Sequence, residues 1–346
     1  MGYTKKNILE YVKEDDVKFI RISFVDPFGN QKNISIMPNE LENAFDNGIM
    51  IDGKYIFKDN ASKLLLVPDP NTISVLPWRP SQGRVVRMFS KILNKDHSFF
   101  ACDTRSFLIK ALESMKNDLF FQTKYDFYLL KTNEEGNPTK IPYDNASFMD
   151  IAPDDKGENV RREICLSLIE MDIKPVASHH ESGPGQNRIF CQKDNPLKAA
   201  DDAITFKSVV KTIASRNGLY ADFLVKPIRN EVENRCYIEI SGKNLNFEYK
   251  NLLNHYNEIE LFLNPTKELY GDNEKIMLED DSIIIEVTSL MNPYIAFGLI
   301  IYAMQDESLG DLNKNLCFED ALNKAKNSEF VKKYLPKELF DFYMSI

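Results

Sequence analysis

The ten residues HHESGPGQNR (His179–Arg188) decide how the rest of this chain is interpreted. Two histidines, a carboxylate, an amide and an arginine surround a Gly-Pro-Gly turn within this short stretch. Glycine and proline fix a tight backbone path, so the polar side chains are delivered into one small volume. The pattern predicts a ligand-facing turn between two strands, in a strand–turn–strand unit over residues 174–191.

The segments around this turn predict a large domain of mixed helices and strands over residues 99–346. Strands are predicted at Tyr125–Lys131 and Ile283–Val287. Residues 132–156 are rich in Asn, Asp, Gly and Pro and predict a long connection. The following segments have the periodicity of helices: 103–116, 159–172, 203–215, 292–304, 317–327 and 328–345.

Residues 1–98 predict a smaller α+β domain. Val17–Val25 alternates as a strand does, and Asp26–Asn30 is typical of a hairpin turn. A helix opened by proline is predicted over Pro38–Phe45. Further strands are predicted at Lys32–Ile36, Lys63–Val67, Ile73–Val75 and Arg84–Ile92. Two hairpins crossed by one helix are close in outline to a β-grasp.

Composition and charge exclude several classes of protein. A chain of 346 residues is long enough for two domains with sizeable cores. The net charge of −9 argues against a nucleic-acid partner, because phosphate neutralisation needs a basic face. No apolar run approaches the roughly 20 residues that a membrane helix needs, and the N-terminus lacks the apolar core of a signal peptide. We therefore expect no membrane partner.

The cysteines favour a reducing compartment. There are five of them, an odd number, scattered and without CxxC spacing. This pattern is more typical of free thiols in the cytosol than of a disulfide framework or a zinc site. We expect a cytoplasmic protein.

Six stretches, in order, resemble motifs of the glutamine synthetase family. The ten-residue turn resembles its HHE-x-x-x-G-Q loop. The others are Asn47-Gly48-Ile49 with Ile51-Asp52-Gly53, Val67–Thr72 with Leu76-Pro77-Trp78, Asp103-Thr104-Arg105, Phe206-Lys207 through Lys226-Pro227, and Ile285-Glu286-Val287 with Asn292-Pro293-Tyr294. The resemblance extends over nearly the whole chain.

The resemblance implies an α+β fold, an N-terminal β-grasp domain followed by a catalytic domain of antiparallel strands backed by helices. The family makes glutamine from glutamate and ammonia with ATP, and two divalent cations neutralise the phosphates during transfer. Its members form rings in which each active site is built across two subunits. The resemblance therefore implies a homo-oligomer or association with a full-length glutamine synthetase.

This chain departs from the family at the positions that hold metal. The resemblance carries those positions onto Lys124, Asp126, Glu181, Arg188, Tyr237 and Glu286. The family has five carboxylates and a neutral histidine there, formally −5. Here three carboxylates face two cations, which leaves a formal charge of −1.

A cation tethered at a ligand position repels a metal ion by several kcal/mol at about 4 Å, even with an effective dielectric constant of about 20. We expect Lys124 and Arg188 to occupy the metal positions and to pair with the remaining carboxylates. No metal or other cofactor is expected. If a metal does bind, its ligands should be Asp126, Glu181 and Glu286.

The substrate and nucleotide positions also depart from the family. The resemblance makes Gln186, Asp272 and Thr288 remnants of the substrate site, with Asp and Thr standing where the family has arginine. The domain is expected to be shortened between about 238 and 283, and no arginine follows Arg235, so a triphosphate site there would be poor. Asp52 matches the family's ammonium-binding aspartate; the alternative is a plain turn residue.

Two hypotheses follow. The first is a non-catalytic paralogue with a degenerate metal and ATP site, which keeps the scaffold for a binding, regulatory or assembly role. The second is an active ATP-dependent glutamate–ammonia ligase, or another carboxylate–amine ligase, with a rebuilt site that uses ATP and Mg²⁺ or Mn²⁺. They differ in whether the protein binds divalent metal and turns over ATP.

Overall fold

Two β-sheets, each covered by helices, organise the chain. The structure is a computed structural model that describes residues 2–57, 63–243, 245–270, 275–310 and 316–345. One sheet has six strands and lies in the N-terminal part of the chain, and the other has eight strands and lies in the C-terminal part. This arrangement confirms the predicted α+β class.

The first sheet is a mixed sheet with one parallel pair at its centre. Its strands are β1 (Val17–Val25), β2 (Gln31–Ile36), β3 (Ile49–Ile51), β4 (Leu64–Pro68), β5 (Ser74–Val75) and β6 (Arg84–Asn94). The order is β2-β1-β6-β4-β3, with β5 also against β6; β1 and β6 are parallel and the other pairs antiparallel. The helices are α1 (Lys5–Glu14), α2 (Leu41–Asn47) and α3 (Lys54–Phe57).

The second sheet is antiparallel and centres on one long strand. Its strands are β7 (Leu119–Thr132), β8 (Pro138–Pro142), β9 (Pro175–His180), β10 (Gln186–Cys191), β11 (Leu219–Asp222), β12 (Cys236–Gly242), β13 (Ile276–Glu279) and β14 (Ser282–Val287). The order is β13-β14-β12-β7-β10-β9, and β8 and β11 pair with β7 as well. The predicted connection over 132–156 therefore contains a short strand, β8.

Helices pack on this sheet and on one another. They are α4 (Thr104–Leu112), α5 (Glu158–Glu170), α6 (Pro196–Arg216), α7 (Leu245–Leu263), α8 (Pro293–Gln305), α9 (Phe318–Asn327), α10 (Glu329–Tyr334) and α11 (Lys337–Tyr343). Helix α6 begins seven residues before its predicted start, because Asn195 caps it and Pro196 occupies its first position. Helix α8 is buried along nearly its whole length, as predicted.

Helix α7 has no counterpart in the sequence prediction. Its buried face carries Glu248, Asn251, His255 and Glu260, which break the apolar periodicity that identifies a helix. Each of these polar groups has a partner supplied by the fold, such as Lys275 Nζ at 2.6 Å from Glu260 Oε1. Partners distant in sequence make this helix possible.

Strand β7 separates two different environments. Tyr125 and Phe127 point toward the helices, where Tyr125 stacks on Phe206 of α6 with ring centroids 5.3 Å apart. Side chains alternate along a strand, so Lys124 and Asp126 point to the opposite face. The helix side is therefore an apolar core, and the other face carries the charged residues.

A buried ion-pair network joins the two parts of the chain. Arg105 of α4 donates from Nε and Nη2 to the two oxygens of Asp201 on α6, both at 2.9 Å. The same guanidinium lies 3.1 Å from Asp69, which follows β4 of the first sheet. Arg87 of β6 donates to Thr205 of α6 at 3.0 Å. Buried charges thus fix the first sheet against α4 and α6.

Gly298 gives a first prediction about packing. It lies in the middle of α8, where a Cβ atom would come within 2.5 Å of Cε1 of the buried Phe107 on α4. Gly298→Ala should lower the free energy of unfolding by about 1–3 kcal/mol, because overpacking outweighs the better helix propensity of alanine. Urea unfolding measures this. Adding Phe107→Leu should recover part of the loss; a more stable Gly298→Ala protein would contradict the packing.

Candidate functional site

The six positions carried over from the family are brought to neighbouring strands of the second sheet. Asp126 is opposite Arg188 in the β7–β10 register. Lys124 is opposite Tyr237 in β7–β12, and Tyr237 is opposite Glu286 in β12–β14. Directly opposite residues share a face, so five of the positions line one surface, and Glu181 follows β9 beside Arg188. We call these six residues the polar cluster.

Arg188 is held between two carboxylates of the polar cluster. Its Nε and Nη2 atoms donate to the two oxygens of Asp126 at 2.5 and 2.8 Å. Its Nη1 atom lies 2.9 Å from Oε1 of Glu181. The guanidinium also lies over the ring of Tyr237, 5.9 Å from its centroid. Asp126 is almost fully buried and Glu181 is buried, so this is a bidentate, largely desolvated pair.

Lys124 has a different partner from the predicted one. Its Nζ atom lies 2.5 Å from Oε2 of Glu239, and Lys193 reaches the other oxygen of Glu239 at 2.6 Å. We expected Lys124 to pair with Asp126, Glu181 or Glu286. Asp126 and Glu181 are already bound to Arg188, and Glu239 lies on β12 two residues beyond Tyr237, within reach of the longer lysine.

Glu286 and Tyr237 contact a cation that the sequence did not single out. Arg235 lies 3.8 Å from Glu286, and its Nη1 atom donates to the Tyr237 hydroxyl at 3.3 Å. The charge of Lys275 also acts on Glu286, and its backbone carbonyl accepts from the Glu286 backbone N–H at 2.7 Å. The last carboxylate of the polar cluster therefore also faces positive charge.

Burial and pairing set the protonation of these groups. Burial raises the pKa of Asp126, and the hydrogen bonds from Arg188 offset only part of that effect. Burial also raises the pKa of Glu286, against the opposing charges of Arg235 and Lys275. At Glu239 burial would raise the pKa, but hydrogen bonds from Lys124 and Lys193 lower it overall.

The glycines of the ten-residue turn are required by close backbone contacts. A Cβ atom at Gly183 would overlap the hydroxyl of Tyr128. Gly185 has a φ of +69°, and a Cβ there would lie 2.8 Å from the carbonyl oxygen of Leu129. The turn therefore lies directly against β7, and this contact brings Glu181 and Arg188 to Asp126.

The side-chain amide of Gln186 forms hydrogen bonds that close the turn. Its Oε1 accepts from the Gly183 backbone N–H at 3.0 Å, and its Nε2 donates to the Glu233 carbonyl at 2.9 Å. It is 1% exposed. The side chain, proposed from the resemblance as a remnant of the substrate site, is occupied in closing the loop.

The two histidines of the turn have different environments. His180 is fully buried between Oδ1 of Asp144, 2.9 Å from its Nε2, and the Glu181 carbonyl, 2.6 Å from its Nδ1. His179 Nε2 lies 3.0 Å from Oε1 of Glu181, and its ring meets Phe148 edge-on. His180 supports the loop from beneath, whereas His179 extends the network around Arg188.

Three buried side chains at the ten-residue turn, one of them His180, have the spacing of a metal site but do not fit one. Ligand atoms of Asp144, Asp155 and His180 lie within 4.8 Å of one another. Both oxygens of Asp155 already accept from the guanidinium of Arg161, at 3.1 Å for Oδ1 and closely for Oδ2. Asp144 accepts from His180 and from the Gly185 N–H at 2.8 Å. A cation would have to displace the arginine, so the cluster is a hydrogen-bonded support for the loop.

The remaining predicted site residues are Asp52, Thr288 and Asp272. Asp52 is exposed and accepts from the Lys54 backbone N–H at 3.1 Å, as a turn residue does. Thr288 is buried, and its hydroxyl has no hydrogen-bond partner among the described residues. Asp272 lies outside the described residues.

Divalent cations do not fit the polar cluster as it is arranged. Mg²⁺ and Mn²⁺ need free carboxylate oxygens, and two oxygens of Asp126 and one of Glu181 are bound to Arg188. Lys124 adds a second positive charge at the position opposite Tyr237. The alternative ligand set of Asp126, Glu181 and Glu286 would require the guanidinium to leave.

Sequence reasoning missed Glu239, Lys193 and Arg235, although a signal for two of them was present. Glu239 is two residues beyond Tyr237 in β12 and shares its face of the strand, and Arg235 directly precedes β12, two residues before Tyr237. Lys193 lies after the end of β10, and only the fold brings it to Glu239.

Comparison with known proteins agrees with the fold. The protein-family model for the glutamine synthetase β-grasp domain matches residues 16–95, and the family model for the glutamine synthetase catalytic domain matches residues 101–262. Apo GmaS without ligand has the same fold with a TM-score of 0.85 and 20% identity, over 98% of this chain and 94% of that one. Plasmodium falciparum glutamine synthetase gives a TM-score of 0.85 at 15% identity, over 100% and 95%.

Curated relatives share sequence as well. Clostridium saccharobutylicum glutamine synthetase is 41% identical over 232 residues, 65% of this chain and 52% of that protein. Methanosarcina mazei glutamine synthetase is 30% identical over 413 aligned positions, 99% of this chain and 92% of the relative. Because the chain has 346 residues, that alignment opens gaps in it. Among the described residues no helix is long and apolar enough to cross a membrane. With both domain models matched and similarity along almost its whole length, this chain belongs to the glutamine synthetase family.

Proposed function

We propose that this chain is a non-catalytic member of its family, which keeps the scaffold for a binding, regulatory or assembly role. The observation that carries the proposal is the guanidinium of Arg188, bound to both oxygens of Asp126 and to Glu181. A fixed organic cation supplies positive charge there without the open coordination positions that phosphoryl transfer requires.

The charge of the polar cluster supports the same proposal. Three carboxylates and two cations give a formal charge of −1, which does not balance two divalent ions. Glu286 faces Arg235, and Lys124 is bound to Glu239. The pocket is thus internally neutralised by ion pairs, and neither a metal nor ATP is needed to complete it.

The test is calorimetric titration of the purified chain with MgCl₂, MnCl₂ and ATP, beside an assay of phosphate release. We expect no saturable binding of two equivalents of divalent metal. Phosphate release from ATP should stay at background when glutamate and ammonium are added. Two bound metal ions together with glutamate-dependent ATP hydrolysis would overturn the proposal.

The second candidate is an active ATP-dependent glutamate–ammonia ligase, or another carboxylate–amine ligase, with a rebuilt site. It is favoured by the curated relatives, which carry the name glutamine synthetase, and by the retained carboxylates Asp126, Glu181 and Glu286. An active ligase would require ATP and Mg²⁺ or Mn²⁺, so the same titration distinguishes the two candidate functions.

For assembly, we propose a homo-oligomer or association with a full-length glutamine synthetase, in the cytoplasm. The domains are proposed to span residues 1–98 and 99–346, with the shortening placed between about 238 and 283. The end of the catalytic-domain match at residue 262 supports that placement. Light scattering on the isolated chain and co-purification with a full-length synthetase would distinguish the two assemblies.

Reversing both cations should create a metal site. Arg188→Glu combined with Lys124→Glu restores five carboxylates to the polar cluster. We expect Mn²⁺ to bind with a dissociation constant on the order of 10⁻⁴–10⁻³ M, by analogy with weak Ca²⁺ sites built from oxygen ligands. Calorimetry and Mn²⁺ electron paramagnetic resonance measure it. The matched control, Arg188→Gln with Lys124→Gln, removes both cations without adding carboxylates and should bind far more weakly. Equal affinities would show that the added carboxylates do not face the polar cluster.

A further inference from the structure

A cavity of about 330 Å³ lies between the first sheet and helix α6, away from the polar cluster. Its walls include Arg21 and Arg87 from the first sheet and Lys207 and Lys211 from α6. No carboxylate is among the described residues that line it. A cavity of this size is within the range that small ligands occupy in proteins.

The four cations have no acidic partner. In the described part of the chain none of them has a carboxylate within 4.0 Å, whereas Arg105, Arg161 and Arg188 all do. The nearby Asp26 caps its own turn by accepting from the N–H groups of Phe28 and Asn30. The cations of this cavity therefore have no carboxylate in direct contact, and Asp26 acts on Lys207 only at longer range.

Arg87 is the most constrained of the four. It is 6% exposed, donates from Nη1 to Thr205 at 3.0 Å, and lies 4.1 Å over the ring of Phe89. Its buried Nε has no partner among the described residues. Burial lowers the pKa of Arg87, since removing a charged group from water is costly. The charges of Asp201 and Asp202 oppose part of this shift, but these carboxylates are bound to Arg105 and Lys198. A buried guanidinium with no carboxylate in contact points to a missing anion.

Lys207 independently indicates that the cavity lacks negative charge. Its Nζ atom donates to the backbone carbonyl of Ser289 at 3.0 Å, a neutral partner. Burial, with the neighbouring Lys211 adding to the effect, lowers its pKa to about 8. An anion in the cavity would raise the pKa of Lys207 back toward its usual value.

We propose that this cavity binds a small anion with at least two negative charges, carried by carboxylate or phosphate oxygens. Arginine forks and lysine ammonium groups are the side chains that recognise both kinds of oxygen. The hydroxyl of Ser208 in the wall supplies a further hydrogen-bonding group. The ligand would contact both domains at once and so stabilise their relative position.

This site is separate from the polar cluster. Phe223 lines the cavity and packs against Phe127, whose side chain points to the helix side of β7. Arg188 and Asp126 lie on the other face of the same sheet. The proposal therefore does not depend on whether the chain is catalytic.

The chain carries a built-in reporter for the test. Trp78 is its single tryptophan and lines the cavity. The full chain is titrated with sodium phosphate and, separately, with sodium succinate, with NaCl holding the ionic strength constant. We expect a saturable change in Trp78 emission with one of the two dianions, accompanied by a rise in melting temperature. Which of them binds more tightly identifies the class of oxygen.

Two variants and a control assign the effect to the cavity. Lys207→Met should weaken binding of the preferred dianion by at least about tenfold, the loss of one charge-assisted hydrogen bond. Lys211→Gln, at an exposed position, should weaken it less without endangering the fold. Lys110→Gln removes the same charge from the exposed side of α4 and should leave the affinity unchanged.

Three outcomes would overturn the proposal. One is the absence of a saturable signal with either dianion, as expected if a neighbouring copy of the chain fills the cavity. Another is equal weakening by Lys110→Gln, which would indicate screening of the whole surface charge. The third is unchanged affinity in both cavity variants.

Discussion

Replacing Arg105 with methionine should lower the free energy of unfolding by about 3–5 kcal/mol. The Arg105 side chain is 4% exposed, and it binds both oxygens of Asp201 at 2.9 Å and Asp69 at 3.1 Å. Methionine has a similar length but leaves the buried Asp201 carboxylate with the Tyr294 hydroxyl, 2.6 Å away, as its remaining close donor. Removing one partner of a buried pair is costly because the other charge stays desolvated.

Urea unfolding followed by circular dichroism measures this loss. Burial would lower the pKa of Arg105, but the Asp201 carboxylate outweighs burial and raises it, so the guanidinium stays charged over the pH range of the measurement. Arg105→Lys keeps the charge without the bidentate fork and should lose less. Adding Asp201→Asn to Arg105→Met should recover part of the loss. A loss below about 1 kcal/mol would contradict the buried network.

The Asp103-Thr104-Arg105 motif, one of the six that identify the family, thus has a structural explanation. Asp103 accepts from the backbone N–H of Ile92 at 3.0 Å, which ties the start of α4 to β6. Arg105 ties the same helix to Asp69 and Asp201. The motif joins the two domains, so its presence indicates the fold and says nothing about catalysis.

Elements with clean periodicity could be predicted from the sequence. The bounds of β1 are those predicted, because VKFIRISFV alternates in the way that a half-buried strand requires. The first half of β7 was missed, because Gln122, Thr123 and Lys124 give a polar run. Those residues are stabilised by pairing with β12, which lies over 100 residues further along the chain. Long-range pairing of this kind leaves no local pattern.

The lack of a local pattern for long-range contacts also explains which parts of the site could be predicted. The resemblance to the family predicts that Asp126 and Arg188 belong to one cluster, and the structure pairs them on one face of the sheet. The choice of Glu239 by Lys124 depends on the register of β12, which sequence spacing does not specify. The cationic cavity was not foreseen at all, since Arg21, Arg87 and Lys207 come from three separate elements.

Arg188→Met should lower the free energy of unfolding by about 3 kcal/mol at pH 7, the lower end of the range for a broken buried pair, because the arginine itself is 23% exposed. Asp126 would remain buried with the Arg235 backbone N–H, 3.1 Å away, as a donor. Chemical unfolding at several pH values measures the effect. Lys124→Met is the matched control: its partner Glu239 keeps Lys193 at 2.6 Å, so the loss should stay below about 1 kcal/mol.

The pH dependence distinguishes an uncompensated carboxylate from a simple loss of packing. Burial already raises the pKa of Asp126, and Arg188 is what opposes the rise, so the pKa should be higher still in the variant. A carboxyl group whose folded pKa exceeds its unfolded value favours the fold when protonated and disfavours it as pH rises through the folded pKa. The deficit of Arg188→Met should therefore shrink from pH 7 toward pH 4, and Asp126→Asn in the same chain should remove most of it at pH 7. A deficit that is equal at both pH values, and unaffected by Asp126→Asn, would mean that Arg188 contributes packing alone. The proposal that ion pairs neutralise the pocket would then lose its main supporting observation.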